Sequence, residues 1–189
     1  MTNKIRVLFD LDDTLTDFLV ELVDRYNKRY GTKHIVNDCY KWELNEIFEH
    51  NILELIDDED FFESVKPKEG AVELMKMLHD HRMDFDVYVI TSCLKPENYI
   101  KKIKWFEKHM PFFPTSRVIP LTDKHIVRGD ILIDDRPKNL EEWQKENRNG
   151  IGILVNSPHN RFCSKFLRIE KMKEIETLLD ELVKNHSFS

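Results

Sequence analysis

The sequence predicts an α/β domain with a Rossmann-like parallel sheet, helices on both of its faces, and a small helical segment inserted after the first strand. Short apolar runs that end at acidic or hydroxyl residues alternate with longer segments of helical periodicity. This is the pattern of parallel strands joined by crossover helices. The chain has 189 residues, enough for one sizeable core with a small insertion and too few for two full cores.

The first half of the chain begins with an apolar run at residues 5–9, which ends at Asp10 and has the composition of a buried parallel strand. Apolar residues then recur at helical spacing from 18 to 30, and Gly31 provides the stop. Residues 32–66 are less regular, although the pattern at 44–56 predicts a helix. We expect a helical cap at residues 18–66, inserted into a catalytic core made of residues 1–17 and 67–189.

The second half continues the alternation of helix and strand. Helices are predicted at residues 71–79, 96–108, 140–147 and 169–183. Strands are predicted at residues 87–90, 118–119, 131–133 and 151–155. Pro96 marks a helix start, because proline is well tolerated in the first turn. The acidic run at 57–60 lacks the spacing and the glycine of a calcium loop, so we interpret it as a solvated helix boundary.

The composition argues against several classes of function. The formal net charge is −6, which disfavours a nucleic-acid polymer as partner because proteins that bind one carry basic surfaces. No run of 18 apolar residues is present, so no membrane span is predicted. The cysteines Cys39, Cys93 and Cys163 are odd in number and widely spaced, which favours a reducing compartment. We therefore expect a cytoplasmic protein.

Polar groups lie at the ends of predicted strands or in the loops beside them, in four segments: Asp10-x-Asp12, Thr91-Ser92, Lys124 and Asp134-Asp135. Ligands of parallel sheets bind at the carboxyl ends of the strands, so we expect these groups to converge. Carboxylates that converge repel one another and need a hard cation. Oxygen ligands with open water positions suit Mg²⁺.

These residue types are those that phosphoryl transfer requires. A carboxylate on a metal beside a lysine can attack phosphorus and form a covalent aspartyl phosphate. Asp12 points to the same side as Asp10 in an extended chain, where it could protonate the leaving oxygen and later deprotonate water. Thr91 or Ser92 would donate a hydrogen bond to a phosphoryl oxygen, and Lys124 would neutralise developing charge.

The four segments, taken in chain order, resemble the four motifs of the haloacid dehalogenase superfamily: residues 10–15, Thr91, Lys124 and Asp134-Asp135. The resemblance covers residues 5–136 and implies a haloacid dehalogenase-like fold. It implies that Asp10 is the nucleophile and Asp12 the acid and base. It also implies that Mg²⁺ is held by the Asp10 carboxylate, the Asp12 main-chain carbonyl and Asp135, with Asp134 in support.

The chain is more closely similar to the 5′(3′)-deoxyribonucleotidases, in segments at Asp17-Phe18, at Phe61-Phe62 before residues 67–73, at Thr91-Ser92-x-x-Lys95 and at residues 132–137. In that family, aromatic residues of the inserted cap hold the nucleobase. The resemblance implies a nucleoside monophosphate as substrate, contacted by Phe18, Trp42, Phe61, Phe62, Ser92, Lys95 and Arg136. Cys93 and Thr122 depart from it, since they stand where the family usually has proline and where some members have arginine.

Alternatives remain open on the residues alone. Phe18, Phe61 and Phe62 could be plain core, and Lys95 a solvated residue at a helix start. A sugar-phosphate or other small-metabolite phosphatase would share the four motifs. A dehalogenase of the same superfamily needs no acid at Asp12, and a non-catalytic phosphoacceptor module is not expected to carry a cap. The preferred base and sugar, the 5′ or 3′ preference and the oligomeric state are left open, a homodimer included.

Overall fold

The computed structural model of the chain describes residues 4–81 and 83–186. These residues form a six-stranded parallel sheet. Its strands are β1 Ile5–Phe9, β2 Phe85–Thr91, β3 Val118–Pro120, β4 Ile131–Asp134, β5 Ile151–Val155 and β6 Leu167–Ile169. Their order across the sheet is β3-β2-β1-β4-β5-β6, a doubly wound order in which the direction of winding reverses between β1 and β4.

Helices cover both faces of the sheet, which confirms the predicted fold class. They are α1 Phe18–Tyr30, α2 Phe61–Ser64, α3 Ala71–Asp80, α4 Pro96–His109, α5 Pro137–Glu146 and α6 Met172–His186. Side chains of α5 pack with Leu8 of β1, whereas α3, α4 and α6 pack with Val7 and Phe9 of the same strand. Successive residues of a strand face opposite sides, so β1 is buried on both. No helix in the described part of the chain is long and apolar enough to cross a membrane.

The register of β1 and β4 determines where the acidic residues emerge. Phe9 pairs with Ile133, and the backbone N–H of Asp10 donates to the carbonyl of Ile133 over 2.9 Å. Asp10 and Asp134 therefore leave the sheet side by side, at its carboxyl edge and at the point where the strand order reverses.

The segment between β1 and α3 has a hydrophobic cluster of its own, whose buried members all lie between Leu19 and Val65. Its two ends run alongside each other, since Asp17 donates its backbone N–H to Lys66 and Lys68 donates its own to Leu15, both over 2.9 Å. A buried hydrogen bond of 2.8 Å from the Trp105 indole of α4 to the Val65 carbonyl fixes the exit of this segment to the core. We refer to residues 18–66 as the insertion.

The helix at 18–30 is confirmed, and Gly31 ends it with a φ of 68°, a conformation that costs glycine no steric strain. The helix predicted at 44–56 is wrong: the chain forms two separate 3-10 turns, Leu44–Glu46 and Ile52–Asp57. The Asn51 side chain accepts the backbone N–H of Leu53 and so begins a new turn, an alternative that asparagine offers to a continuous helix. Strand β6 was not predicted, and the last helix begins at Met172 rather than at 169.

Candidate active site

A cavity of about 380 Å³ lies between the core and the insertion, at the carboxyl ends of β1 and β4. This volume falls in the range of roughly 300–1,000 Å³ that is usual for small-molecule sites. Core side chains that line it include Asp10, Asp12, Lys124 and Asp135, and Trp42 is among those from the insertion. All four segments singled out in the sequence thus contribute residues to one cavity, and the Thr91-Ser92 segment does so through Ser92.

Asp10 and Lys124 form a buried ion contact. Asp10 is 7% exposed, and its Oδ1 accepts a hydrogen bond from Lys124 Nζ, which also donates to Asp134 Oδ2 over 2.7 Å. Burial raises the pKa of Asp10 to about 7, an effect that Lys124 opposes and that the charges of Asp134 and Asp12 reinforce. Burial lowers the pKa of Lys124, but the two carboxylates outweigh it and raise that pKa above its ordinary value. Lys124 is therefore charged.

The two aspartates at the end of β4, Asp134 and Asp135, differ in their hydrogen bonding. Asp134 accepts from Lys124, from the Arg136 backbone N–H over 2.8 Å, and from the Asn139 amide at 3.1 and 3.0 Å. The carboxylate of Asp135 lies 3.4 Å from His159 Nε2. Burial raises the pKa of Asp135 well above its ordinary value, and the charges of Asp134 and Asp10 raise it further. The carboxylate oxygens of Asp134 thus already accept hydrogen bonds from the protein, whereas the carboxylate of Asp135 has only the contact with His159 among the described residues.

The carboxylates of Asp10, Asp134 and Asp135 could hold a metal ion. Each offers one oxygen, and these oxygens all lie within 4.8 Å of one another. Three ionised carboxylates and the Lys124 ammonium leave two negative charges in a buried space, which a divalent cation would balance. The donor set is all oxygen, which suits a hard cation such as Mg²⁺.

Asp12 is held by a buried lysine that the sequence did not reveal. Lys102 of α4 is 2% exposed, and its Nζ lies 2.5 Å from Asp12 Oδ2. The same Nζ donates to Thr91 Oγ1 over 2.8 Å and to the Ser92 carbonyl over 2.9 Å. Residues from the end of β1, the end of β2 and the middle of α4 therefore meet at one ammonium group.

Asp13 connects the loop after β1 to the insertion. Its φ is 55°, in the left-handed region that aspartate tolerates better than most residues. In this conformation its Oδ1 accepts the backbone N–H of Leu19 over 3.0 Å, which satisfies a donor in the first turn of α1. The position of α1 is thus linked directly to the loop that carries Asp10 and Asp12.

The insertion supplies apolar surface to the cavity, with side chains of Phe18, Leu19, Trp42, Leu44, Leu53, Ile56 and Phe62. Trp42 is 45% exposed. The Arg136 guanidinium stacks over its ring at 4.1 Å from the centroid, and the His159 ring meets it edge to face at 5.2 Å. Trp42 and Arg136 therefore approach each other across the boundary between the insertion and the core.

The structure leaves two of the expected substrate contacts outside the cavity. Phe61 is fully buried and packs against Phe18 with ring centroids 5.3 Å apart, so its place is in the hydrophobic cluster of the insertion. Lys95 Nζ lies 2.7 Å from Asp57 Oδ2, in an exposed ion pair between the core and the insertion. The other expected contacts, Phe18, Trp42, Phe62, Ser92 and Arg136, all line the cavity.

Several site residues were missed by the sequence reasoning: Asn98, Lys102, Asn139, His159 and Asn160. His159 and Asn160 follow β5, so the rule that ligands bind beyond strand ends could have found them. The Asn160 amide donates to the carbonyl of Asp135 over 2.6 Å and to that of Val155 over 2.8 Å. It thereby fixes the loop after β4 to the loop after β5.

Comparisons of the sequence with known proteins point to one family. The family model described as "5′ nucleotidase, deoxy (Pyrimidine), cytosolic type C protein" matches residues 3–186. The 5′(3′)-deoxyribonucleotidase of Bacillus subtilis (strain 168) is 29% identical over 181 residues, which cover 92% of this chain and 97% of that protein.

Solved structures are similar in fold. A HAD family hydrolase from Deinococcus radiodurans R1, with bound phosphate and sodium, has a TM-score of 0.63 at 11% identity and covers 94% of this chain and 96% of its own. YfnB from Bacillus subtilis, in a form bound to magnesium, has a TM-score of 0.59 at 15% identity and covers 95% of this chain and 100% of its own. These structures place the chain among haloacid dehalogenase-like folds.

The hydrogen bonds of Asn160 lead to a first prediction. Asn160→Ala leaves the buried carbonyls of Asp135 and Val155 without this donor, and we expect the free energy of unfolding to fall by about 2–4 kcal/mol. Urea denaturation measures the change. The matched control is Asn156→Ala, because Asn156 is exposed and its loss should cost less than about 1 kcal/mol. Equal losses for the two variants would contradict the role given to Asn160.

Proposed function

We propose, because the chain belongs to the 5′ nucleotidase, deoxy (pyrimidine), cytosolic type C protein family, that it dephosphorylates deoxyribonucleoside monophosphates through an aspartyl-phosphate intermediate on Asp10. Membership makes the chain a phosphoric monoester hydrolase. The covalent mechanism, the Mg²⁺ requirement and the preference for deoxyribonucleotides are the parts that we add.

The state of the Asp10 carboxylate is the observation that carries the mechanism. Asp10 lines the cavity, Lys124 holds its Oδ1, and no described residue donates a hydrogen bond to its Oδ2. One oxygen is therefore fixed and charge-compensated, while the other is available to attack phosphorus. A neighbouring ammonium group also reduces the repulsion between this carboxylate and a phosphate dianion.

A divalent cation fits the donor set of Asp10 and Asp135, and the Asp12 main-chain carbonyl would complete the protein's share of the ligands. When bound, such an ion would draw the phosphoryl group to the carboxylates and stabilise its charge. Asp134 would act indirectly, because its oxygens already accept hydrogen bonds from Lys124 and Asn139. Mg²⁺ is the ion that we propose.

The reaction proceeds in two halves. In the first, Asp10 Oδ2 attacks phosphorus, the bond between phosphorus and the ester oxygen breaks, and Asp12 gives its proton to that oxygen as the nucleoside leaves. In the second, water attacks the phosphoryl group, Asp12 takes a proton from that water, and the bond between Asp10 and phosphorus breaks to release inorganic phosphate. The Thr91 and Ser92 hydroxyls and Lys124 stabilise the phosphoryl oxygens during both halves.

The insertion is proposed to act as the cap that holds the nucleoside. Its apolar and aromatic side chains line the same cavity as the carboxylates, and a base can stack on such a surface at low entropic cost. Trp42 is the best placed for stacking because its ring is partly exposed and is oriented by Arg136. Phe18 and Phe62 would complete the apolar surface.

The second prediction concerns the nucleophile. Asp10→Asn keeps the shape of the side chain and removes its charge, so we expect hydrolysis to fall to the background rate. Acid-quenched wild-type enzyme should retain radiolabelled phosphate from the substrate, and Asp10→Asn should not. Asp24→Asn, on an exposed position of α1, should behave like wild type in both assays. More than a tenth of wild-type activity in Asp10→Asn would rule out the covalent mechanism on that residue.

The third prediction concerns the metal and has a readout that does not need turnover. Mg²⁺ at about 100 times its dissociation constant should stabilise the fold by about 2.7 kcal/mol, seen as a rise in Tm by scanning calorimetry. KCl at equal ionic strength should not reproduce it. Asp135→Asn should abolish the rise, whereas Asp24→Asn should keep it. A chelator should abolish hydrolysis in the wild type, and full activity in chelator would contradict the proposed site.

The fourth prediction concerns the substrate. Stacking on the base should favour deoxyribonucleoside monophosphates over ribose 5-phosphate or glycerol phosphate by about tenfold to a thousandfold in kcat/KM, roughly 1.4–4 kcal/mol. Trp42→Ala should remove most of this advantage and leave glycerol phosphate turnover nearly unchanged. The control is Tyr40→Ala, which removes a similarly exposed aromatic residue. Equal rates on nucleotides and sugar phosphates would exclude the nucleotidase and favour a sugar-phosphate phosphatase.

A further inference from the structure

Lys102 is a buried cation that the mechanism above does not use. Its side chain is 2% exposed, although lysine is among the residues least often buried. Asp12 is the carboxylate with which it pairs among the described residues. Removing a lysine from water is unfavourable unless the charge is compensated and its hydrogens are donated. The contacts of the ammonium group should therefore show what its burial achieves.

The contacts of Nζ account for all three of its hydrogens. They go to Asp12 Oδ2 at 2.5 Å, Thr91 Oγ1 at 2.8 Å and the Ser92 carbonyl at 2.9 Å. A lysine ammonium has three donors and no acceptor, so none remains for a phosphoryl oxygen. Lys102 differs in this respect from Lys124, whose Nζ donates to two carboxylates and keeps one hydrogen.

The same contacts orient two groups that the reaction needs. Asp12 has no other hydrogen bond to a described residue, so Lys102 alone fixes the direction of its carboxylate. The Thr91 side chain is fully buried, and its hydroxyl accepts from Lys102. The Phe62 ring of the insertion lies 5.3 Å from the ammonium group and helps to close the site around it.

We propose that Lys102 is a positioning residue for the proton transfer, which holds Asp12 towards the leaving oxygen. The proposal rests on the proposed function, because it assigns to Asp12 the proton that the leaving oxygen receives. No proton leaves Lys102 in the reaction. Its effect is on the geometry of Asp12, and geometry matters for proton transfer over hydrogen-bond distances.

The leaving group provides the means to test this. A nucleoside alcohol is a poor leaving group and needs a proton as the ester bond breaks, whereas 2,4-dinitrophenolate leaves without one. In Lys102→Met the rate of the first half-reaction should fall about a hundredfold or more with a deoxyribonucleotide. With 2,4-dinitrophenyl phosphate it should stay within about threefold of wild type. Stopped-flow absorbance should then show a dinitrophenolate burst of one enzyme equivalent, since water activation by Asp12 is also impaired in the second half.

A comparison with Asp12 separates positioning from a structural role. If Lys102 acts through Asp12, Lys102→Met combined with Asp12→Asn should be no slower than Asp12→Asn alone, because the two residues act as one unit. Multiplying losses, or an equal loss on both substrates in Lys102→Met, would overturn the proposal. Lys102→Arg keeps the charge, and we expect it to recover part of the nucleotide rate that Lys102→Met loses. If the role of Lys102 is only structural, Lys102→Arg should recover none of that rate.

Two further variants keep the test decisive. Lys104→Met makes the same change at an exposed position of the same helix and should leave both substrates unaffected. If circular dichroism shows that Lys102→Met does not fold, Lys102→Gln takes its place, and the same ratio of the rates on the two substrates is expected. A wild-type enzyme that forms no phosphoenzyme would overturn the proposed function itself. If the wild type does form a phosphoenzyme but Lys102→Met loses the same rate on both substrates, only the role of Lys102 is overturned and the proposed function stands.

Discussion

The contact of Lys124 with Asp10 and Asp134 is the interaction on which the rest of the site depends. The parallel register of β1 and β4 brings acidic residues to one edge of the sheet, and three of them are buried there. Burial raises the pKa values of Asp10 and Asp135 and so favours the neutral forms of these two carboxyl groups. When all three carboxylates are ionised, Lys124 compensates one charge and leaves an excess of two, which a divalent ion held by these residues would balance.

The candidate site could be predicted from the sequence where it follows from the topology of the sheet. Asp10, Asp12, Asp134 and Asp135 come directly after apolar runs, and parallel strands bring such residues to one edge. Lys102 lies on a helix, where no such rule applies. A signal for it was nevertheless present, because Asn98 and Lys102 share a face of α4 with Trp105 and Phe106. Polar residues on the buried face of an amphipathic helix indicate a polar partner in the core or a cavity.

The insertion was harder to predict for physical reasons. Helix α1 has a strong apolar period and a glycine stop, and its bounds were found. Residues 44–57 instead form short turns, in which side-chain capping by Asn51 competes with helix formation. Phe61 and Phe62 are adjacent in sequence, yet only Phe62 reaches the cavity. Which of two neighbouring aromatic residues faces a ligand depends on how the whole insertion packs, and this information is not local.

The bonds between the insertion and the core are unequal in strength. At the exit of the insertion, the Trp105 indole is buried and donates to Val65, and a buried hydrogen bond is costly to break. Elsewhere between the insertion and the core, the Lys95 and Asp57 side chains are 56% and 47% exposed, and exposed pairs contribute little because water screens them. Trp42 and Arg136 both line the cavity and meet across the boundary between the insertion and the core. The insertion is therefore fixed most firmly where the chain leaves it, by a buried hydrogen bond, whereas the exposed pair of Lys95 and Asp57 contributes little to holding it.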